Sequence, residues 1–263
     1  MYSLFLRLAL LSVIAVPAIA NAMPLRICAD PDNLPFSNRA EQGFDNRIGI
    51  LIAHKLGREP EFVWARSRRG FMREQFNKGA CDLLMGVPEG LRAVATSRPY
   101  YRSSYVFVAR KRDELHIARF DDPHLEGRRI GLQILEEDYA PPSLPLIRNG
   151  HAAQLVGFDT FGARSADIVH AVADRRVGVA VVWGPLAGYV AARDHLPVTL
   201  TAVSPQVDSS GVPFTYDIAI AVHKKDNALR NAINHAIDQS DAQIRAILAR
   251  YHIPITADEK EAR

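Results

Sequence analysis

From Leu25 onward, short apolar runs alternate with amphipathic stretches, and this alternation restricts the fold of the chain more than any single motif does. Residues 25–29 (LRICA) read as a strand, followed by a turn-rich loop from Asp30 to Asn38. A helical pattern then carries Phe44, Ile48, Leu51, Ile52 and Leu56, closed by Gly57 in the C-terminal capping position. Residues 61–65 read as a strand, 71–78 as a short helix, 82–87 as a buried strand and 104–110 as another strand, which runs into a charged connector from Lys111 to Glu114. A second set follows, with strands at 129–134, 155–158, 177–183 and 198–203 and helices at 163–175 and 186–193. After a polar stretch at 204–213 come a strand at 216–223 and two helical patterns, Leu229/Ile233/Ile237 and Ile244/Ile247/Leu248. Strands alternating with helices predict an α/β fold with mostly parallel sheets flanked by helices. Two such sets, bounded by 111–114 and 204–213, predict two lobes joined by two crossover segments.

The N-terminus has a different character. Arg7 precedes an apolar run from Leu8 to Ile19, broken by Pro17, and Ala20-Asn21-Ala22 offers small residues where a signal peptidase reads. That run is shorter than the ~20 residues a spanning helix needs, so residues 1–22 are expected to be a secretory signal, with Met23 as the mature N-terminus. No later segment is apolar enough to cross a membrane. The formal charge of +3 comes from 32 basic and 29 acidic residues spread along the chain, which argues against a nucleic-acid partner. Two cysteines are too few for a disulfide-dense scaffold or a four-thiolate zinc site, and the nine histidines are scattered. No metal site is expected.

Catalytic signatures are missing: no G-x-G-x-x-G after a strand, no P-loop, no H-E-x-x-H and no G-x-S-x-G. Polar and aromatic residues at strand ends stand out instead, where open α/β sheets bind ligands. Asp30 and Phe36 follow the first strand, Arg92 follows the 82–87 strand, and Trp183 ends the 177–183 strand. Each has a blander account: turn former, loop anchor, surface charge and core residue respectively. Their convergence on one set of strand ends favours a cleft.

At these residues the chain resembles a known family. L-R-I-C-A-D-x-x-x-L-P-F, then G-V-P-E-G-L-R-A-V-A-T-S-R-P-Y-Y-R-S-S-Y-V-F-V-A-R-K, and the closing Y-D-I-A-I-A-V-H-K-K-D-N-A-L, are similar to family 3 periplasmic solute-binding proteins over residues 25 to about 254. The resemblance implies the type II two-lobed fold with a ligand cleft closing by a hinge. Lobe 1 would comprise 23–110 and 213–254, lobe 2 residues 111–212, and 255–263 a polar tail. P-F-S-N-R, the R-R-G-F of Arg68–Phe71, C-D-L-L-M-G-V-P and V-V-W-G-P-L-A-G-Y resemble a narrower subgroup, the solute-binding-like accessory proteins of quinoprotein methanol dehydrogenases. That subgroup implies a periplasmic accessory or maturation factor without catalysis or a cofactor of its own. Its partner would be a pyrroloquinoline-quinone-dependent methanol dehydrogenase or the cytochrome serving it.

Departures from the parent pattern bear on the ligand. Arg92 stands where the family grips a ligand carboxylate, but Val87, Pro88 and Glu89 replace the small hydroxyl residues around that grip. Trp183 falls where the family holds the ligand's ammonium with an Asp, so standard amino acids are expected to bind no better than millimolar. Residues 134–143, carrying three acids and Pro141-Pro142, replace the small anion-binding turn of the second lobe. Two rival readings remain: an importer receptor holding a small organic anion through Arg92, and a dehydratase using Glu89 or Asp30 as its acid. For a protein client, the expected cleft-rim residues are Phe36, Arg69, Phe71, Arg92 and Trp183, with Arg66 and Arg68 adding basic charge. The alternative is that Phe71 and Trp183 fill the lobes' cores. The family places the 82–87 strand beside the first strand in parallel, leaving Cys28 and Cys81 offset by about three residues, near 10 Å. This predicts two buried thiols rather than a disulfide.

Overall fold

A computed structural model describes residues 23–256 except Glu136 and Phe161; the expected signal segment, its cleavage after Ala22, and the tail beyond residue 256 lie outside these residues. Strand β1 (Leu25–Ala29) is followed by a small two-stranded ribbon, β2 (Asp32–Asn33) and β3 (Ser37–Asn38), then helix α1 (Phe44–Lys55). β1 lies between β4 (Pro60–Trp64) and β5 (Leu83–Pro88), parallel to both. The short helix α2 (Phe71–Glu74) precedes β5. β6 (Ala95–Arg110) is a 16-residue strand that serves both halves of the molecule. Its first part pairs with β12 (Thr215–Val222), which inserts antiparallel between β5 and β6.

The second part of β6 pairs antiparallel with β10 (Val179–Trp183) and β11 (Val198–Ala202). β7 (Ile130–Leu135) runs parallel to β10 and to β9 (Leu155–Asp159), with the stub β8 (Asp138–Tyr139) at its end. The main strand order is therefore β4-β1-β5-β12-β6-β10-β7-β8. Helices α3 (Ser143–Arg148), α4 (Asp167–Ala173) and α5 (Gly184–Arg193) belong to the second half, and α6 (Asn227–Arg250) returns to the first.

Alternation along the strands separates the cores. Val106, Val108, Ala180 and Val182 face α4 and α5, burying Ile168, Val169, Val172 and Val190. Their neighbours Tyr105, Phe107, Val179 and Val181 face the opposite side with Ile130, Leu132 and Phe214. The first half has its own core, where Phe44, Ile48 and Ile52 of α1 meet Leu25, Ile27 and Leu83, with Ile233, Ile244 and Leu248 of α6.

Three local expectations change. The two C-terminal helical patterns form one 24-residue helix, because neither Gly nor Pro interrupts 227–250 and Ser240 is buried in its middle. Residues 162–166 wind as a 3-10 turn before the shorter α4. β6 begins at Ala95, well before residue 104, with Pro99 inside it. Pro99 is accommodated because the register slips there: Ala219 opposes Pro99 and Ile218 opposes Tyr101, leaving Tyr100 as an extra residue.

The cysteine expectation is overturned outright. Cys28 and Cys81 form a disulfide with a Cα–Cα distance of 5.5 Å, and both are at most 1% exposed. The register is offset as expected, with Cys28 opposite Leu84. However, β5 begins at Leu83, and Cys81 lies in the preceding turn after Gly79, whose φ is +76°. The steps from Cys81 to Leu83 are thus not traversed at strand rise, and the chain folds back over Cys28. Asp82 holds this turn in place by accepting from the Arg26 backbone N–H at 3.0 Å and from the Arg26 guanidinium at 2.6 Å. Among the described residues, no helix is long and apolar enough to cross a membrane.

Candidate functional site

Three adjoining cavities of about 280, 230 and 310 Å³ open where the two halves face one another, and Phe36 lines all three. The first is walled by the carboxyl end of β1, by β5, by Phe62 and Ser67, and by the N-terminus of α1, with Trp183 closing it from the other half. The second shares Asp30, Asn33, Phe36 and Ser67 with it and reaches Gln133, Thr160 and Ser165. The third is more apolar, between Tyr101, Tyr105, Pro141, Trp183 and Tyr216.

Asp30 organises the loop at the mouth. Its Oδ1 accepts the Asp32 N–H at 2.9 Å, its Oδ2 accepts the Ser67 N–H at 2.6 Å, and its carbonyl accepts the Ser37 hydroxyl at 2.8 Å. Phe36 packs against Phe44 with ring centroids 5.4 Å apart. The Trp183 ring makes edge contacts with Tyr105 and Tyr216 at 5.3 and 5.8 Å, and its backbone N–H donates to Gln133 Oε1 at 2.6 Å, completing the end of the β7–β10 ladder. Asp30, Phe36 and Trp183 therefore come together.

The other sequence candidates lie elsewhere. Phe71 is buried with Cys28, Phe76, Cys81 and Val87 behind β5. Arg69 and Arg92 are exposed and line none of the three cavities, and Glu89 is likewise exposed. With both Asp30 oxygens held by backbone N–H groups and Glu89 outside the cavities, neither acid is set for general-acid chemistry there. Among the described residues, no group of three His, Cys, Asp or Glu side chains is arranged to hold a metal.

Sequence reasoning missed the floor of the first cavity. Asp45 and Asn46 occupy the first turn of α1 and are buried. Asn46 Oδ1 accepts the backbone N–H of Gly43, the N-cap, and of Asn38, both at 3.1 Å, and so reaches back from the third helical position to secure the start of α1. Gly43 is required because a Cβ there would lie 2.0 Å from the Phe36 carbonyl oxygen. Asp45 Oδ1 accepts the Tyr100 hydroxyl at 2.6 Å. Burial pushes the Asp45 carboxyl up to about 7, against the opposing pull of that hydrogen bond. A second bulge, Met85-Gly86 opposite Ile220, lies beside it, and Gly86 has φ +73°. The available signals were the polar pair at the head of an otherwise apolar helix face, and Gln133 within a buried strand.

Comparison with known proteins agrees with this architecture. The sequence profile of the bacterial extracellular solute-binding proteins, family 3, matches residues 25–253. Protein MoxJ of Paracoccus denitrificans is 28% identical over 258 residues, covering 92% of this chain and 92% of its own. Two crystal structures superpose across their whole length: MxaJ from Methlophaga aminisulfidivorans MPT, 28% identical over 88% of this chain with TM-score 0.76, and the periplasmic binding protein XoxJ from Methylobacterium extorquens AM1, 30% identical over 89% with TM-score 0.74.

Proposed function

Because the chain belongs to the bacterial extracellular solute-binding proteins of family 3, we propose that it works as a periplasmic accessory and maturation factor for a pyrroloquinoline-quinone-dependent methanol dehydrogenase, engaging the enzyme or its cytochrome partner as a protein client. It is a binding module with no catalysis of its own. The observation that carries this reading is the end-to-end likeness to MoxJ, MxaJ and XoxJ, which runs through both halves and not through one shared motif. The cleft is consistent with it, since its third cavity presents Tyr101, Tyr105, Trp183 and Tyr216, the aromatic type enriched at protein interfaces.

Affinity capture of the tagged mature protein from the periplasm of a methanol-oxidising host tests the reading. Retention of the dehydrogenase or its cytochrome is expected; retention of importer membrane components in their place overturns it. A paired variant, Arg69→Ala with Trp183→Ala, is expected to stay folded while lowering dehydrogenase activity in the same compartment. Unchanged activity would move the client surface away from the cleft rim. The rival importer reading loses support because Arg92, its anion anchor, is exposed and outside the three cavities.

A further inference from the structure

We propose that the 280 Å³ cavity floored by Asp45 and Asn46 binds a small amino alcohol as its ammonium form, a ligand with a positive nitrogen, a nearby oxygen and no carboxylate. The site is independent of which protein the cleft rim serves.

The charge of the lining leads to this ligand. Asp30 and Asp45 are the ionisable residues of the first cavity, and no Lys, Arg or His lines it or either adjoining cavity. Asp30 is already held by two backbone N–H groups. Asp45 is not fully satisfied: Tyr100 occupies Oδ1, while Oδ2 has no hydrogen-bond partner among the described residues. That oxygen faces Gly86, where an added Cβ would come within 3.0 Å of it, so the glycine keeps its approach clear. A buried carboxylate without a counter-charge is costly, and an entering cation relieves that cost.

Asn46 supplies the second requirement. Its Oδ1 is committed to two backbone N–H groups, which fixes the orientation of the amide and leaves Nδ2 as a buried donor with no partner. Asn46 is 1% exposed and lines the same cavity. A donor beside an ammonium site takes an oxygen acceptor, hence a hydroxyl near the ligand's nitrogen. The remaining wall is apolar and aromatic: Phe36, Phe62, Met85 and Trp183. Rings of this kind favour alkylammonium groups. An α-amino acid or an organic acid would bring its carboxylate against two acids with no cation to meet it.

Calorimetry on the purified mature protein with ethanolamine, choline, n-propylamine, 1-propanol and propionate tests the proposal. Ethanolamine or choline is expected to bind measurably, n-propylamine more weakly, and propanol and propionate not at all. Asp45→Asn keeps an acceptor for Tyr100 and is expected to weaken ethanolamine binding by about tenfold or more, corresponding to ~1.4 kcal/mol. Asn46→Asp keeps the cap but removes the donor, and is expected to erase the preference for ethanolamine over n-propylamine. The proposal is overturned if no amine binds at millimolar concentration, or if propionate binds as well as the amines. These two outcomes need only the unmodified protein, and neither bears on capture of a dehydrogenase.

Discussion

Asp45 is a carboxyl group whose folded environment opposes its charge, and this gives it a signature in stability. Burial raises it to about 7, whereas an unfolded chain would hold it near 3.9. Between those values the folded protein retains a proton that the unfolded chain has lost. Stability therefore falls as pH rises through about 4 to 7, by an amount on the order of 4 kcal/mol across the window. Asp45→Asn removes this dependence and preserves the Tyr100 hydrogen bond. The variant is expected to melt near the parent at pH 5 and clearly above it at pH 8; parallel curves at both pH values would contradict the assignment. The Cys28–Cys81 disulfide makes a second residue-scale demand. Intact protein should weigh two mass units less than its reduced form, and replacing both cysteines by Ala should cost roughly 2–4 kcal/mol in urea unfolding, as expected for closing a loop of this length.

At the scale of elements, most strands and helices were legible because their apolar residues repeat at two or near 3.6. What escaped was irregularity. Tyr100 and Tyr101 are consecutive, yet both are buried in the first-half core, because the bulge at Tyr100 cancels the usual alternation of faces. No period in R-P-Y-Y-R encodes that. Ser97 shows the compensation: opposite Ile220, where the ladder slips again, its hydroxyl accepts the Ile220 N–H at 2.9 Å. The disulfide escaped for a similar reason, since a register argument treats Cys81 as strand when it is turn. Three of the six candidate site residues, Asp30, Phe36 and Trp183, share one cavity because strand ends mark cleft positions directly. The floor escaped because Asp45 and Asn46 look like an ordinary polar helix start. α6 has a conventional beginning: Asp226 accepts the Leu229 N–H at 2.9 Å. Asp226→Ala is expected to cost about 1 kcal/mol, measured as a lower melting temperature with the helix content otherwise retained.

Across the whole molecule, the two halves have separate cores but share β6, and Trp183 packs against both. A strand common to both sheets couples their stabilities. Trp64 on β4 reports on the first half alone, whereas Trp183 on β10 reports on the second half at its seam with the first. Urea unfolding followed in the single-tryptophan variants Trp64→Phe and Trp183→Phe is expected to give coincident transitions once corrected for each variant's own stability; separated midpoints would show that β6 does not couple the halves. The strand order also dictates a sequence in time for a chain delivered from its N-terminus. Every strand of the second-half sheet, β6 through β11, has emerged by Ala202. The first-half sheet must wait for β12, its internal strand between β5 and β6, and for α6, which packs on α1. The part of the chain synthesised first is thus the part that closes last, so β5 and the lower stretch of β6 keep open edges until the C-terminal residues arrive. Until then, those two edges are the stretch most in need of a chaperone's protection.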